Sequence, residues 1–245
     1  MNAFWMALQF LTVVRVPQPL HCMQEDFRKA LIFFPLVGLL LGLLLASLAW
    51  AGLQLHLHRE LLAILLVIAG LIFTGGLHLD GVADTADGFG AGNNRESALR
   101  IMKDRRTGVF GVAAIMLCLY LKIVAFRIIL RPVHFQAMIL APMLSRVFLT
   151  ASCTLLPYAR AQGTGALFSG FSFCRSSLPV LLPAFALSIV LDRVHAPNIL
   201  SWLCLIWLVW SALCFYKIRG YTGDTLGCQN ELLEISAMLL AGQLS

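Results

Sequence analysis

The chain has 245 residues, of which 60% are apolar and only 12% are charged. Soluble domains carry about 25% charged residues, so this chain could not cover a water-facing surface of ordinary composition. The composition therefore excludes a soluble globular protein and indicates a membrane protein. The net charge of +6 comes without a basic stripe of interleaved aromatic residues, so we expect no nucleic-acid partner.

A transmembrane helix needs about 20 mostly apolar residues, and several runs of the sequence meet that need. A short apolar helix over residues 2–14 comes first, and we expect it to lie against the bilayer or to pack on the bundle. Five predicted spans follow, at residues 31–53, 61–77, 109–130, 133–156 and 199–216. A sixth predicted span, 178–191, is shorter and contains two prolines.

The tail over residues 232–240 is too short to cross a membrane alone, and it predicts a surface helix, a re-entrant helix or a partial span. The predicted fold class is therefore all-α. It is a polytopic transmembrane helix bundle of about six spans plus a short C-terminal helix, forming a single integral membrane domain over residues 1–245.

Lysine and arginine residues are concentrated on one side of the predicted membrane. Twelve lie in segments that six spans place on the same side as the N-terminus, three lie on the opposite side and three lie inside spans. Segments rich in these residues remain cytoplasmic. The pattern predicts a cytoplasmic N-terminus and cytoplasmic segments at residues 79–107, 157–177 and 217–230.

Eight of the twelve carboxylates lie between residues 80 and 104 or between residues 224 and 234. If the first stretch is helical, Asp80, Asp84 and Asp87 lie within an arc of about 60°. Three like charges this close repel one another unless a cation joins them. Mg²⁺ suits such a site, because it prefers a few carboxylates completed by substrate phosphate oxygens. A solvated acidic face is the alternative interpretation.

Basic residues follow directly, because a short capped helix over residues 94–105 would end by placing Lys103, Arg105 and Arg106 beside the carboxylates. Acidic groups for a metal and basic groups for phosphate are what phosphoryl transfer requires. Lys122 and Arg146 lie inside predicted spans, where a charged side chain is costly and usually functional. A polar cavity that holds substrate phosphate would account for both.

The second acidic stretch contains Asp224 in a Thr-Gly-Asp turn. Such a turn commonly caps a helix, but on the same membrane face as the first stretch Asp224 is also a candidate for the same site. His78 has two interpretations as well. It is either a proton-transfer or substrate-contacting residue, or a residue that anchors the end of a helix.

Three motifs resemble the signature segments of the cobalamin synthase family, the adenosylcobinamide-GDP ribazoletransferases. They are GGLHLDGVADTADG at 75–88, IMKDRRTGVFG at 101–111 and YTGDTLG at 221–227. Supporting similarity lies in ALQFLTVVRVPQP at 7–19, FFPLVGLLLG at 33–42 and YARAQGTG at 158–165. One departure is Arg219 before a single Gly220, where the family often has two glycines.

The resemblance implies a Mg²⁺-dependent transferase of the bacterial inner membrane, with the lipid bilayer as its surroundings. Its substrates would be adenosylcobinamide-GDP and α-ribazole or α-ribazole 5′-phosphate, and its products adenosylcobalamin or its 5′-phosphate plus GMP. Catalytic segments would lie at about residues 78–107 and 217–230. The sequence leaves open whether the protein forms a homo-oligomer.

Combining the resemblance with the residue pattern assigns three sets of site residues. The expected catalytic residues are His78, Asp84, Asp87 and Asp224. The expected Mg²⁺ ligands are Asp80, Asp84, Asp87 and Asp104. The expected substrate-binding residues are Lys103, Arg105, Arg106, Lys122 and Arg146.

Two alternative functions remain open. A CDP-alcohol-type lipid phosphotransferase would share the metal site but would bind a lipid alcohol. A cation transporter would place its acidic residues near the bilayer midplane within broken helices.

Overall fold

The structure is a computed structural model that describes residues 2–15, 29–130, 134–160 and 178–243. Within these ranges it contains ten α-helices and no β-strand, in agreement with the all-α prediction. In chain order the helices are α1 (Asn2–Leu11), α2 (Phe34–Gln54), α3 (Arg59–Thr74), α4 (Leu77–Ala91), α5 (Arg95–Ile101), α6 (Val109–Ile129), α7 (Phe135–Leu155), α8 (Leu178–Leu191), α9 (Ala196–Ile218) and α10 (Gly223–Gln243).

Helices α2, α6, α7 and α9 are long and apolar enough to cross a membrane, and the bent pair α3–α4 would make a fifth span. Large apolar side chains face outward, as at Met116 and Val209, which are 68% and 62% exposed. Contiguous apolar surface of this kind is rare in soluble monomers but fits contact with lipid. The predicted sixth span is described only as α8, whose 14 residues extend about 21 Å and fall short of the hydrocarbon core.

A sharp bend separates α3 from α4, and the two helix axes meet at 91°. The bend lies at Gly75 and Gly76, whose φ angles are +62° and +71°. Glycine adopts this left-handed conformation at little cost because it has no Cβ. The predicted span at 61–77 therefore ends at Thr74, and the acidic stretch that follows it forms a helix rather than a loop.

Close packing of α2 against α7 forms one side of the bundle. A Cβ atom at Gly38 would meet the Pro142 carbonyl oxygen, and one at Gly42 would meet the Ile139 carbonyl oxygen. Small residues four apart let two helix backbones approach this closely in a membrane.

The short helix α1 packs on the bundle. Met6 and Leu11 are buried in a cluster with Phe34 of α2 and Leu149 of α7. The prediction of a short N-terminal helix is confirmed, and of its two predicted positions the structure supports packing on the bundle.

Helix α10 departs most from the prediction. It has 21 residues, extends about 31 Å and contacts α4, α6, α7 and α9. Leu233 and Met238 lie in the main hydrophobic core, and Gly242 packs against Ile128 near the far end of α6. The prediction of a short surface or re-entrant helix is wrong, because α10 runs through the centre of the bundle.

Candidate active site

The first acidic stretch is helical, as required by the interpretation that places Asp80, Asp84 and Asp87 on one face. In the described part of the chain, no hydrogen bond or ion pair reaches the carboxylate of Asp80 or of Asp84. Burial and the nearby carboxylates of Asp80 and Asp224 raise the pKa of Asp84 to about 7. The acidic side chains are therefore crowded together, and each disfavours the charge of the next.

Asp87 has different surroundings, because its carboxylate anchors the start of α6. Its Oδ2 atom accepts the Gly108 N–H at 2.6 Å, and its Oδ1 atom accepts the Gly111 N–H at 2.8 Å. A carboxylate at this position satisfies free donors and complements the helix dipole. A side chain at either glycine would collide with the carboxylate. The structure thus gives Asp87 a positioning role, and its catalytic and metal-ligand roles stay predictions.

Asp224 lies against α4 because α4 and α10 touch at a pair of glycines. A Cβ atom at Gly81 would lie 2.6 Å from the Asp224 carbonyl oxygen, and one at Gly227 would lie 3.2 Å from the His78 Cα atom. Only glycine allows the two backbones to come this close. The structure therefore brings Asp224 to the first acidic stretch, as predicted.

The Thr-Gly-Asp turn does cap α10, but the capping side chains are Thr222 and Thr225 rather than Asp224. Thr222 Oγ1 accepts the Thr225 N–H at 3.2 Å, and Thr225 Oγ1 accepts the Thr222 N–H at 2.8 Å. This reciprocal pair is a capping box for α10. The Asp224 carboxylate instead forms an ion pair with Arg160, at 2.6 Å between Oδ2 and Nη2.

Arg160 is a site residue that the sequence reasoning did not single out. Its segment is bound to the connection between α9 and α10, where the Tyr221 N–H donates to the Pro157 carbonyl at 2.9 Å and the Ala159 N–H donates to the Tyr221 carbonyl at 2.8 Å. The one signal in the sequence was the family-like motif at 158–165, which contains Arg160.

Two cavities adjoin Asp80. The first has a volume of about 370 Å³ and is lined mainly by apolar side chains, including Phe10 and Phe34, with Asp80 and Asp224 among its polar groups. The second, of about 650 Å³, lies beside the bend between α3 and α4 and reaches Thr107. A mostly apolar concavity with a few convergent polar groups is typical of a small-molecule site.

Lys122 and Arg146 form a buried ion-pair network with α10. Lys122 Nζ lies 2.7 Å from Glu231 Oε2 and 3.0 Å from Glu234 Oε1, and Arg146 Nη1 lies 3.3 Å from Glu234 Oε2. Two cations and two carboxylates compensate one another, as burial requires. The prediction that Lys122 and Arg146 bind substrate phosphate is therefore not supported, since the protein itself neutralises their charges.

His78 lies between this network and the 370 Å³ cavity, and it lines that cavity. Its Nδ1 atom is 3.0 Å from the Asn230 amide nitrogen and 4.0 Å from Glu231 Oε1. When the Asn230 amide donates to Nδ1, the neutral ring carries its proton on Nε2. Nε2 is buried without a partner among the described residues. His78 thus anchors α4 to α10 and keeps one ring nitrogen for a ligand.

The basic loop after α5 is exposed at Lys103, Arg105 and Arg106. Arg106 pairs with Asp104 at 2.9 Å, and this hydrogen bond lowers the pKa of Asp104. No ion pair joins Lys103 or Arg105 to another residue in the ranges that the structure describes. The contacts of the Asp104 side chain are with Arg106, and its role as a metal ligand stays a prediction.

A bundle of apolar helices with carboxylates and a cavity at one end defines a polytopic helical membrane protein. The chain belongs to the cobalamin-5-phosphate synthase (CobS) family, whose model matches residues 3–242. The predicted family is therefore confirmed. No solved structure matches the chain.

The chain is similar to relatives that carry the name adenosylcobinamide-GDP ribazoletransferase, among them the three that follow. The protein of Alkaliphilus metalliredigens is 38% identical over 238 residues, covering 96% of this chain and 92% of the relative. That of Clostridium botulinum (strain Langeland) is 32% identical over 245 residues, covering 98% and 97%. That of Geotalea daltonii is 35% identical over 243 residues, covering 98% and 96%. These names confirm that the chain is a transferase.

Proposed function

We propose that this protein transfers the corrinoid phosphoryl group of adenosylcobinamide-GDP to α-ribazole or α-ribazole 5′-phosphate, with GMP as the leaving group. The names of the relatives support this reaction. The observation that carries the proposal is the meeting of α4 and α10 at Gly81 and Gly227, which places Asp224 beside Asp80 and Asp84.

Asp80 and Asp84 would hold Mg²⁺ in this site. Within the described ranges no three His, Cys, Asp or Glu side chains form a metal site by themselves. Mg²⁺ is nevertheless commonly held by one or two carboxylates together with substrate phosphates, and two carboxylates free of hydrogen bonds fit that requirement. When bound, the ion supplies charge stabilisation for the diphosphate and for the leaving GMP.

The remaining side chains position the substrates and accept a proton. The acceptor hydroxyl oxygen bonds to the phosphorus on the corrinoid side, and the bond from that phosphorus to the GMP oxygen breaks. Asp224 takes the hydroxyl proton, since it lies on α10 opposite the α4 carboxylates and lines the 370 Å³ cavity. The apolar walls of that cavity exclude water from the reacting groups.

The site lies on the cytoplasmic side of the bacterial inner membrane in this proposal. The distribution of Lys and Arg supports the orientation, with twelve residues on the predicted cytoplasmic side and three opposite. Single cysteines in a Cys-free variant test it with an impermeant thiol reagent on intact cells. A cysteine at His56 should be labelled and one at Asn93 shielded, whereas labelling at Asn93 would contradict the orientation.

The decisive test of the reaction uses the purified protein in detergent with adenosylcobinamide-GDP, α-ribazole and Mg²⁺. We expect formation of adenosylcobalamin and GMP that stops when EDTA is added and resumes with excess Mg²⁺. CDP-activated lipid with a lipid alcohol serves as the competing substrate pair. Product from the lipid pair alone would identify a lipid phosphotransferase and would overturn the proposal.

A further inference from the structure

Hydrogen bonds to the backbone of the neighbouring residues hold the segment that carries Arg160 in place. Besides the two hydrogen bonds between its segment and Tyr221, Arg95 reaches across from α5. Its Nη2 atom donates to the Ala159 carbonyl at 2.7 Å and its Nε atom to the Ile218 carbonyl at 3.0 Å. The guanidinium group of Arg160 therefore lies next to the start of α10, on a segment that these hydrogen bonds hold in place.

The guanidinium of Arg160 has more donors than it uses. Only 13% of its side chain is exposed, and Nη2 donates to Asp224 at 2.6 Å. Its Nε atom is buried and has no partner within the described residues. A buried donor without an acceptor is costly, and a planar guanidinium can satisfy two donors at once on a phosphate group.

Lys103 and Arg105 lie on an exposed loop, whereas the basic side chains inside the bundle and that of Lys217 at the end of α9 have carboxylate or carbonyl partners. Lys122 and Arg146 are neutralised by the glutamates of α10, and Lys217 donates to the Phe89 carbonyl at 3.0 Å. Arg160, by contrast, contacts Asp224 directly and lies near enough to Asp84 to lower that carboxyl's pKa against the other influences. Arg146 Nε is also buried without a partner among the described residues, but that guanidinium faces Glu234. Arg160 combines an unused buried donor with a position inside the acidic cluster.

We propose that Arg160 is the phosphate-binding residue of the site and that it exchanges Asp224 for a phosphate of the nucleoside diphosphate substrate. This inference rests on the proposed function and names the residue that recognises the diphosphate. The exchange releases the Asp224 carboxylate at the moment when the substrate is bound. Asp224 then becomes available to accept the proton of the attacking hydroxyl.

The test measures binding of GDP, in EDTA, to the purified protein by calorimetry. Arg160→Met should weaken GDP binding about tenfold or more, as expected for the loss of one charge-assisted contact, and Arg160→Lys should give an intermediate loss. Asp224→Asn should tighten binding, because it removes the competing partner of Arg160. Asp80→Asn is the matched control, since it makes the same change of charge without contacting Arg160.

Asp224→Asn should tighten GDP binding several-fold more than Asp80→Asn does. In the Arg160→Met background the two asparagine variants should have equal effects. The inference would be overturned if Asp224→Asn and Asp80→Asn changed GDP affinity equally in the protein that retains Arg160. It would also be overturned if Arg160→Met bound GDP within twofold of the unmodified protein. If Arg160→Met fails to fold, the comparison of Asp224→Asn with Asp80→Asn decides. Turnover of adenosylcobinamide-GDP by the unmodified protein tests the proposed function separately, so the two ideas can fail independently.

Discussion

Helix α10 carries two groups of carboxylates that meet opposite electrostatic surroundings. Glu231 and Glu234 face Lys122 and Arg146, so two negative charges meet two positive ones. Near its start, Asp224 joins Asp80 and Asp84, and among the described residues that cluster is offset by the single charge of Arg160.

The difference separates a structural group of charges from a binding group. A balanced buried network holds helices together, and loss of one member leaves an uncompensated charge in the interior. In an unbalanced cluster the carboxylates repel one another, and a bound cation reduces that repulsion. Substitutions in the two regions should therefore change stability in opposite directions.

The largest loss of stability should follow from Glu234→Ala. It leaves Arg146 without its carboxylate partner, and breaking a buried pair costs about 3–5 kcal/mol. The free energy of unfolding in detergent is the measurement. The double variant Lys122→Met, Glu234→Gln removes one charge of each sign and should be more stable than Glu234→Ala. A loss below about 1 kcal/mol for Glu234→Ala would remove the distinction between the two regions.

Asp84→Asn and Asp87→Asn are a matched pair on one helix. Asp84→Asn should lower turnover about 100-fold, equivalent to about 2.7 kcal/mol in the barrier, and should leave the melting temperature unchanged or raised. Asp87→Asn should lower the melting temperature, because it removes the charge at the start of α6. The reverse pattern of melting temperatures would show that the roles of the two residues are exchanged.

The metal-free protein should become less stable as pH rises from about 4 to 7. The pKa of Asp84 is raised to about 7 in the folded state from the ordinary value of about 4. The folded state therefore holds a proton that the unfolded state has lost across this window, and stability falls with rising pH. Melting curves in EDTA should show this fall, whereas Asp84→Asn or added Mg²⁺ should reduce it. If the melting temperature of Asp84→Asn falls with pH as steeply as that of the unmodified protein, Asp84 is not the cause of the fall.

At the start of α10, helix capping and catalysis are expected to depend on different residues. Thr225→Val removes the hydroxyl that accepts the Thr222 N–H and should cost about 1 kcal/mol of stability with turnover per folded molecule preserved. Asp224→Ala should abolish turnover, and adding Asp84→Ala to it should reduce turnover little further, since both act in one site. Normal turnover in Asp224→Ala with a lowered melting temperature would show that Asp224 has a structural role and no catalytic one.

The smallest effect should come from Arg219, which has φ +61° at the end of α9. A non-glycine residue in this conformation is strained by about 1 kcal/mol, although glycine increases the entropy of the unfolded chain. Arg219→Gly should therefore stabilise the protein by about 0.5 kcal/mol. Arg219→Ala keeps the strain and should give no gain. Equal melting temperatures for the two variants would contradict this explanation.

Most of the fold follows from apolar run length, because a membrane requires about 20 apolar residues per crossing. Helices α2, α6, α7 and α9 were predicted in this way. Helix α10 was not, because its polar residues, Glu231 and Glu234 among them, interrupt the apolar pattern. The signal was nevertheless present, since Lys122 and Arg146 inside predicted spans require anionic partners and these two glutamates were available.

The candidate site was predictable where helical periodicity decides the geometry, as for Asp80 and Asp84. It was not predictable where partners come from distant segments. Asp87 is held by backbone donors at Gly108 and Gly111, which no side-chain pattern reveals. Arg160 reaches Asp224 across 64 residues of sequence, and only the folded connection between α9 and α10 brings them together.

The central position of α10 also constrains the order of biosynthesis. Lys122 and Arg146 belong to helices that precede α10 in the chain, so both cations enter the membrane before Glu231 and Glu234 have been translated. Until α10 arrives, those helices form an open bundle with two uncompensated charges in an apolar medium. Insertion of α10 closes the bundle and completes the acidic cluster together, so chains interrupted before residue 224 lack the α10 side of the site even though every α4 aspartate is present.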